Sequence, residues 1–390
     1  MNRFILTALT TIYYQYYFNS PYRIIKLYWF KLKQQGWHMG KKNPTLRDVA
    51  KLAGVAVGTI SNYLNNPDGV KEKNRERIEN AIKVLHFTPN TMAQRLASGR
   101  TNTILLYILS EQEIGDSTWL HQLPLIQAIN DRLHKTRYNL QIKIGQIGEE
   151  EYSLGYMEDC IQGRIIDGAA ILSAWEVPKE MLKLFLREDF PYVLLENKSD
   201  FTNHACIQFD NEQMTVSMVD YLAELGHEKI AFVDVKSDQQ HIRLRYRGYI
   251  KAITKYEFKL NKEYVRDGDF TIESGRRCAK ELLMLPKPPT AVICGNDNMA
   301  VGMIEEIQGS GYRVPEDISV MGVDNSIVSK AVVPNLTTME MPLKKMGEVA
   351  IEELLAKISD PEHQIESTMF QCRRIDRKST GKVCDSVFRR

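Results

Sequence analysis

From Thr45 the chain reads TLRDVAKLAGVAVGTISNYLNN, with apolar residues at Leu46, Val49, Ala50, Leu52, Ala53, Val55, Val57, Ile60 and Leu64. That spacing predicts two short amphipathic helices rather than strands. Thr45, with Asp48 three residues on, makes a near capping box for the first helix, and Gly54 supplies the tight turn that ends it. The second helix, about 57–65, buries Val57 or Ile60 together with Leu64. It turns Gly58, Thr59, Ser61, Asn62 and Asn65 outward, short groups of the kind that reach base edges in a major groove without steric conflict. After the break at Asn66-Pro67-Asp68-Gly69, a third helix over about 71–85 points Ile78, Ile82 and Leu85 at the same small core. Its Lys and Arg residues are then available to phosphates. Phe87-Thr88-Pro89-Asn90 is an extended entry to two helical turns over 91–98, closed by Gly99. A helix that short is marginal alone in water and forms when paired with its copy or with DNA.

Beyond residue 100 the pattern changes to short apolar runs at 104–109, 139–144, 165–172, 191–196, 229–235, 290–295 and 317–323, separated by amphipathic stretches such as 214–225. Continuous apolar runs suit buried parallel strands, and the stretches between them suit helices covering the sheet faces. The predicted fold class is α/β: a small all-α headpiece, then two doubly wound parallel-sheet halves with a ligand cleft between them.

Charge sharpens the division. The net charge of the 390 residues is +2, yet residues 1–38 carry five basic and no acidic residues, and residues 39–100 carry eleven basic against five acidic. The remainder is therefore −9. A basic head on an acidic body meets a polyanion at the head, and nucleic acid is the first candidate. The composition, 43% hydrophobic and 26% charged, excludes wholesale disorder and a multi-span membrane protein. Six dispersed cysteines with no C-x-x-C pair exclude a zinc ribbon and a dense disulfide framework, and point to a reducing, cytoplasmic setting. The apolar run 4–18 is too short and too interrupted to span a bilayer. Residues 1–38 are read instead as an extension upstream of a start at Met39.

No phosphate loop, metal-binding helix motif, nucleophile elbow or histidine ligand spacing occurs, so neither catalytic residues nor a metal or cofactor is expected and the chain is not an enzyme. A sugar-binding transport component would share the body but lack the basic headpiece.

The motifs D-V-A, A-G-V, T-I-S and L-N within 45–66 stand in the register of the LacI/GalR family of bacterial transcriptional regulators, and PNTMAQRLASGR resembles that family's hinge helix. The resemblance runs on through LAELGHEKIAFV, RLRYRGYIKAI, TAVICGNDNMAVGM, DISVMGVDN and IDRKSTG to about Gly381. It implies that Val57, Gly58, Ser61 and Asn62 read bases and that Thr45, Thr59 and Asn65 position phosphates. In the hinge it implies that Asn90, Ala93 and Leu96 meet DNA, with Leu96 wedged into the central minor groove. Ala56 stands where the family usually has a capping Ser, and Asn62 where it usually has Arg.

The body resembles type I periplasmic binding proteins. The implied effector residues are Arg245 and Asp297 as polar clamps, Phe270 as an apolar platform and Glu196 at the end of its strand. The plainer alternatives are a solvated Arg245, an Asp297 that only caps a helix, and a Phe270 that only packs. The segment 110–124 departs from the family's sugar-site pattern, with Trp119 or His121 as candidate contacts. The domains expected are an N-terminal extension at 1–38, the headpiece at 44–88, the hinge at 89–100, an effector and dimerisation domain at 102–381 and a tail at 382–390. Within the effector domain the first half is about 102–203 plus 327–358, and the second about 204–326 plus 359–381. The expected function is a cytoplasmic repressor of carbohydrate or nucleoside genes that binds a near-palindromic operator as a homodimer. A sugar, sugar phosphate or nucleoside controls it, or else a protein corepressor.

Overall fold

The structure, a computed structural model, describes residues 44–65, 67–87, 100–110, 121–146, 148–173, 175–196, 204–237 and 239–383. The chain divides into two compact units, Met1–Gln94 and Arg95–Arg390.

In the first unit, helices α1 (Leu46–Ala53), α2 (Val57–Asn65) and α3 (Glu72–Leu85) surround a small core, with a 3-10 turn at Pro67–Gly69. A full capping box starts α1: Asp48 N donates to Thr45 Oγ1 at 3.4 Å and Thr45 N donates to Asp48 Oδ2 at 2.8 Å. Gly54 ends the helix at φ +66°, a conformation a Cβ would strain. The apolar spacing converges as its period requires, with Val49, Ile60 and Ile78 fully buried among Val70, Ala81 and Phe87. Ile60, not Val57, is the α2 residue that enters this core; Val57 is 42% exposed. The Tyr63 hydroxyl donates to Glu79 Oε1 at 3.0 Å and ties α2 to α3. The expected hinge turns with Asn90, Ala93 and Leu96, and the segment 1–38, lie outside the described residues.

The second unit is built on two six-stranded sheets. The first carries β1 (Thr103–Ser110), β2 (Asn139–Gln146), β3 (Gly168–Ser173), β4 (Tyr192–Leu195), β5 (Cys206–Phe209) and β11 (Thr368–Phe370), in the order β11-β5-β4-β3-β1-β2. The second carries β6 (Ile230–Val235), β7 (Val265–Gly268), β8 (Ala291–Cys294), β9 (Ser319–Val323), β10 (Thr337–Glu340) and β12 (Arg373–Ile375), in the order β12-β10-β9-β8-β6-β7. The pairings are parallel except that β10 and β12 run antiparallel. Strand β1 shows why its run is apolar throughout: residues 104–109 are all buried, since helices cover both faces.

Helices α4 (Leu123–Leu133), α5 (Glu150–Gln162) and α6 (Lys179–Arg187) join the strands of the first sheet. Helices α7 (Asn211–Glu224), α8 (Gln240–Lys255), α9 (Ile272–Leu283), α10 (Asp297–Gly309) and α11 (Ile327–Ala331) accompany the second. The long α12 (Leu343–Ser359) returns to the first half and packs on α4, β3 and β4.

The strand pairing corrects the expected division into halves. Cys206–Phe209 pairs with β4 and belongs to the first sheet, while Thr337–Glu340 pairs with β9 and belongs to the second. The chain thus changes halves after residues 209, 340 and 370. Apolar spacing marks a strand but does not say which sheet edge it joins.

Among the described residues no helix is long and apolar enough to cross a membrane. Among the described residues, Cys160, Cys206, Cys278, Cys294 and Cys372 form no disulfide.

Candidate functional site

In the first unit, α2 turns Val57, Gly58 and Asn62 fully outward, with Thr59 and Ser61 half-buried beside them. A Cβ built on Gly58 meets no atom within 4 Å, so this face is open as well as small. Thr45 is exposed, and its hydroxyl donates to Asp48 Oδ2 at 2.7 Å within the cap. The side chain of Asn65 lies outside the described residues.

In the second unit the C-terminal ends of the parallel strands from both sheets face a cavity of about 190 Å³, the place where open α/β sheets bind ligands. Ser110, Ser173, Glu196 and Phe209 reach it from the first sheet, and Phe270, Asn296, Asp324 and Met341 from the second. Three of these sit in the left-handed region without being glycine: Glu196 at φ +69°, Phe270 at +66° and Asp324 at +118°. Such backbone costs about 1–3 kcal/mol per residue and persists where surrounding structure imposes it. All three follow strand ends at the cavity.

Arg245 on α8 lies at the cavity wall and is only 6% exposed. Its Nε donates to Asn211 Oδ1 at 2.8 Å and its Nη1 to the Gly295 carbonyl at 2.9 Å, so the guanidinium plane is fixed. Behind it, Asp234 Oδ2 stands 4.0 Å from Nη1. Residue 295 has to be glycine, because a Cβ there would sit 2.1 Å from Asp234 Oδ1. Arg245, Phe270 and Glu196, three of the four expected effector residues, are therefore brought together.

Asp297, the fourth, is not. Its carboxylate is fully buried and turned into the second half: Oδ2 accepts from Ser326 N at 2.7 Å and Ser326 Oγ at 2.9 Å, and Oδ1 accepts from Thr338 Oγ1 at 2.6 Å. Nor does it cap α10. Asn296 does so, accepting from Met299 N at 2.9 Å, and its Nδ2 donates to the Phe270 carbonyl at 3.0 Å. Asn296 and Asp324, which the sequence reading passed over, occupy the cavity in place of Asp297. Both follow strand ends that were legible in sequence, and that position is the signal that finds them. His121 lines the cavity; Trp119 lies outside the described residues.

The cavity is electrostatically loaded. Burial pushes the Asp324 carboxyl up to about 7, against the pull of Arg245, with Glu196 and Asp234 adding repulsion. Burial and then the charge of Asp324 raise Asp297 to about 7, partly offset by its bonds from Thr338 and Ser326. Glu196 is raised by burial and held back by His121, by the Gln122 amide donating at 3.3 Å and by Arg245. Among the described residues, no group of three His, Cys, Asp or Glu side chains could hold a metal ion.

Comparison with known proteins finds a match in each of the two units. Residues 45–90 match the pattern described as bacterial regulatory proteins, lacI family, and residues 219–380 match the periplasmic binding protein-like domain. The probable HTH-type transcriptional repressor ExuR of Bacillus subtilis is 31% identical over 344 residues, covering 86% of this chain and 99% of that protein. A solved Lac repressor dimer, bound to operator and the anti-inducer ONPF, is 27% identical with a TM-score of 0.74, covering 87% of this chain and all of that one. A transcriptional regulator CelR–cellobiose complex is 26% identical with a TM-score of 0.63, covering 86% and 99%. A unit matching the family's DNA-binding pattern, followed by a two-sheet unit, in a chain matched over 86% of its length by a repressor, places this protein in the lacI family of bacterial regulatory proteins, as a DNA-binding transcriptional regulator and not an enzyme.

Proposed function

We propose that the protein is an effector-controlled repressor of carbohydrate or nucleoside genes that binds a near-palindromic operator as a homodimer in the cytoplasm. Val57, Gly58, Ser61 and Asn62 read bases. Thr45, Thr59 and Asn65 position phosphates, and Asn90, Ala93 and Leu96 act in the hinge. Support for the headpiece assignment comes from the exposure of α2 opposite Ile60. The Lac repressor relative, a dimer on its operator, supports the oligomeric reading, because a two-fold protein reads a two-fold site.

The observation that carries the ligand response is the cavity itself, where Arg245, Glu196, Phe270, Asn296 and Asp324 from both halves face one space. A small ring compound with hydroxyls satisfies such a set: a planar guanidinium and carboxylates each make paired hydrogen bonds, and the aromatic rings take the apolar face. Binding there changes the separation of the two halves and with it the operator affinity, a coupling of about 1–3 kcal/mol or roughly 5–150 fold.

The test is selection of DNA from a random pool by the full chain, followed by operator titration with candidate sugars, sugar phosphates and nucleosides. Inverted repeats whose affinity shifts with one ligand are the expected result. Selection of sites without two-fold symmetry would remove the dimer reading. Affinities that no small molecule alters would transfer control to a protein corepressor.

A further inference from the structure

The hydrogen-bonding groups around the cleft are unevenly spent. Several donors are turned into the protein: Arg245 Nε to Asn211, Arg245 Nη1 to Gly295, Asn296 Nδ2 to Phe270, and Gln122 Nε2 to Glu196. Gln122 Nε2 stands 3.3 Å from Glu196 Oε1 and 2.8 Å from His121 Nε2, and since a carboxylate only accepts, Nε2 is the donor end of the amide there. Its other end, Gln122 Oε1, is thereby presented as an acceptor. That atom is buried and without a hydrogen-bond partner among the described residues, on a residue 6% exposed that lines the cavity. Gln239 Oε1, also at the cavity, is in the same condition, and so is Asp234 Oδ2 behind Arg245. Among the described residues, every buried side-chain polar atom left unsatisfied at or just behind the cleft in this way is an acceptor.

The charges lean the same way. Glu196 and Asp324 line the cavity from opposite halves, Asp234 backs it, and Arg245 is the one guanidinium that faces them among the described lining residues. His121 and His241 are the remaining titratable lining groups, and His121 lies close enough to Glu196 to offset its charge in part. An anionic ligand would meet two carboxylates and several bare acceptor oxygens. A ligand rich in hydroxyl donors would satisfy them, and leaving buried acceptors unpaired is costly.

We propose that the effector is an uncharged, hydroxyl-bearing ring compound, a free sugar or nucleoside, and that the acceptor-lined wall formed by Gln122, Glu196, Gln239 and Asp324 rejects its phosphorylated and carboxylated counterparts. This rests on the reading of the cleft as the effector site, and it narrows that reading to one charge class.

The experiment is calorimetric titration of the full chain at pH 8 with matched pairs: glucose and glucose 6-phosphate, galactose and galacturonate, adenosine and AMP, cytidine and CMP, with cellobiose added. At least one neutral compound is expected to bind, and its anionic partner to bind on the order of 100-fold more weakly, the scale of one repulsive charge at intermediate dielectric. An anionic compound that binds more tightly than its neutral partner overturns the proposal while leaving the cleft reading intact. No binding across the series overturns both. Glu196→Gln, or Asp324→Asn if the first variant fails to fold, removes a charge while keeping size, and is expected to narrow the discrimination at least threefold. An unchanged ratio would assign the rejection to shape and overturn the electrostatic argument.

Discussion

Asn296 faces the ligand cleft, and Asp297, the next residue, faces away from it into the junction of α10, α11 and β10. Two adjacent polar residues at one helix start thus have different work. Asp297→Ala leaves Ser326 N, Ser326 Oγ and Thr338 Oγ1 without their acceptor, a loss of about 2–4 kcal/mol for buried donors. Urea unfolding should register that loss directly. Asn296→Ala forfeits a helix cap, about 1 kcal/mol, and is expected to weaken effector binding by more than its stability cost accounts for. Should Asp297→Ala instead silence the effector response with an unchanged urea midpoint, Asp297 would belong to the ligand after all.

Arg245→Lys tests whether geometry or charge matters at the cleft wall. A lysine retains the positive charge near Asp234 but cannot hold Asn211 Oδ1 and the Gly295 carbonyl from one rigid plane. The expected outcome is at least a tenfold loss of effector affinity by calorimetry and a lower melting temperature, because one buried acceptor loses its donor. Wild-type affinity in this variant would reduce the residue to a simple charge.

The sequence showed the long elements and hid the short ones. The run 104–109 is apolar throughout and 229–235 is interrupted only by Lys229 and Asp234, so both read at once as buried strands, and Thr45, Asp48 and Gly54 set the ends of α1 by local bonds alone. Strands Val265–Gly268, Thr337–Glu340 and Arg373–Ile375 are three or four residues long and mixed in polarity, so only their sheet neighbours make them strands. The cleft followed the same rule. Arg245 stood out as a planar cation in a motif, whereas the orientation of Asn296 against Asp297 depends on Ser326 and Thr338, which lie 29 and 41 residues away.

A pH dependence follows from the Asp297–Asp324 pair. Both carboxyls rise from 3.8 to about 7 in the folded protein, by burial and by their closeness to other carboxylates. A folded state that holds these protons more tightly than the unfolded chain is favoured below the unfolded value of 3.8, and it loses stability as pH climbs to about 7. His204 and His227, lowered by burial, act in the opposite sense as pH falls. Comparing wild type with Asp324→Asn cancels the histidines. The variant is expected to gain on the order of 2 kcal/mol relative to wild type between pH 5 and pH 8, read from urea midpoints at each pH. A constant difference would show that the pair is already ionised in the fold.

Gly58 separates folding from reading on α2. It lies within the helix, is exposed, and has open space where a Cβ would go. Alanine therefore fits, and should stabilise the helix by about 0.8–1 kcal/mol through lower backbone entropy in the unfolded chain. Amide exchange in α2 should slow by about four- to fivefold, the same free energy expressed as an opening constant. If the face meets base edges, the added methyl stands between backbone and groove, where apolar contact favours a thymine methyl. The expected result is a helix that is more protected yet binds the selected operator less well, with the loss confined to substitutions at one symmetric pair of base positions. Slower exchange with unaltered affinity for every operator variant would leave Gly58 out of the reading face and assign specificity to Val57, Ser61 and Asn62.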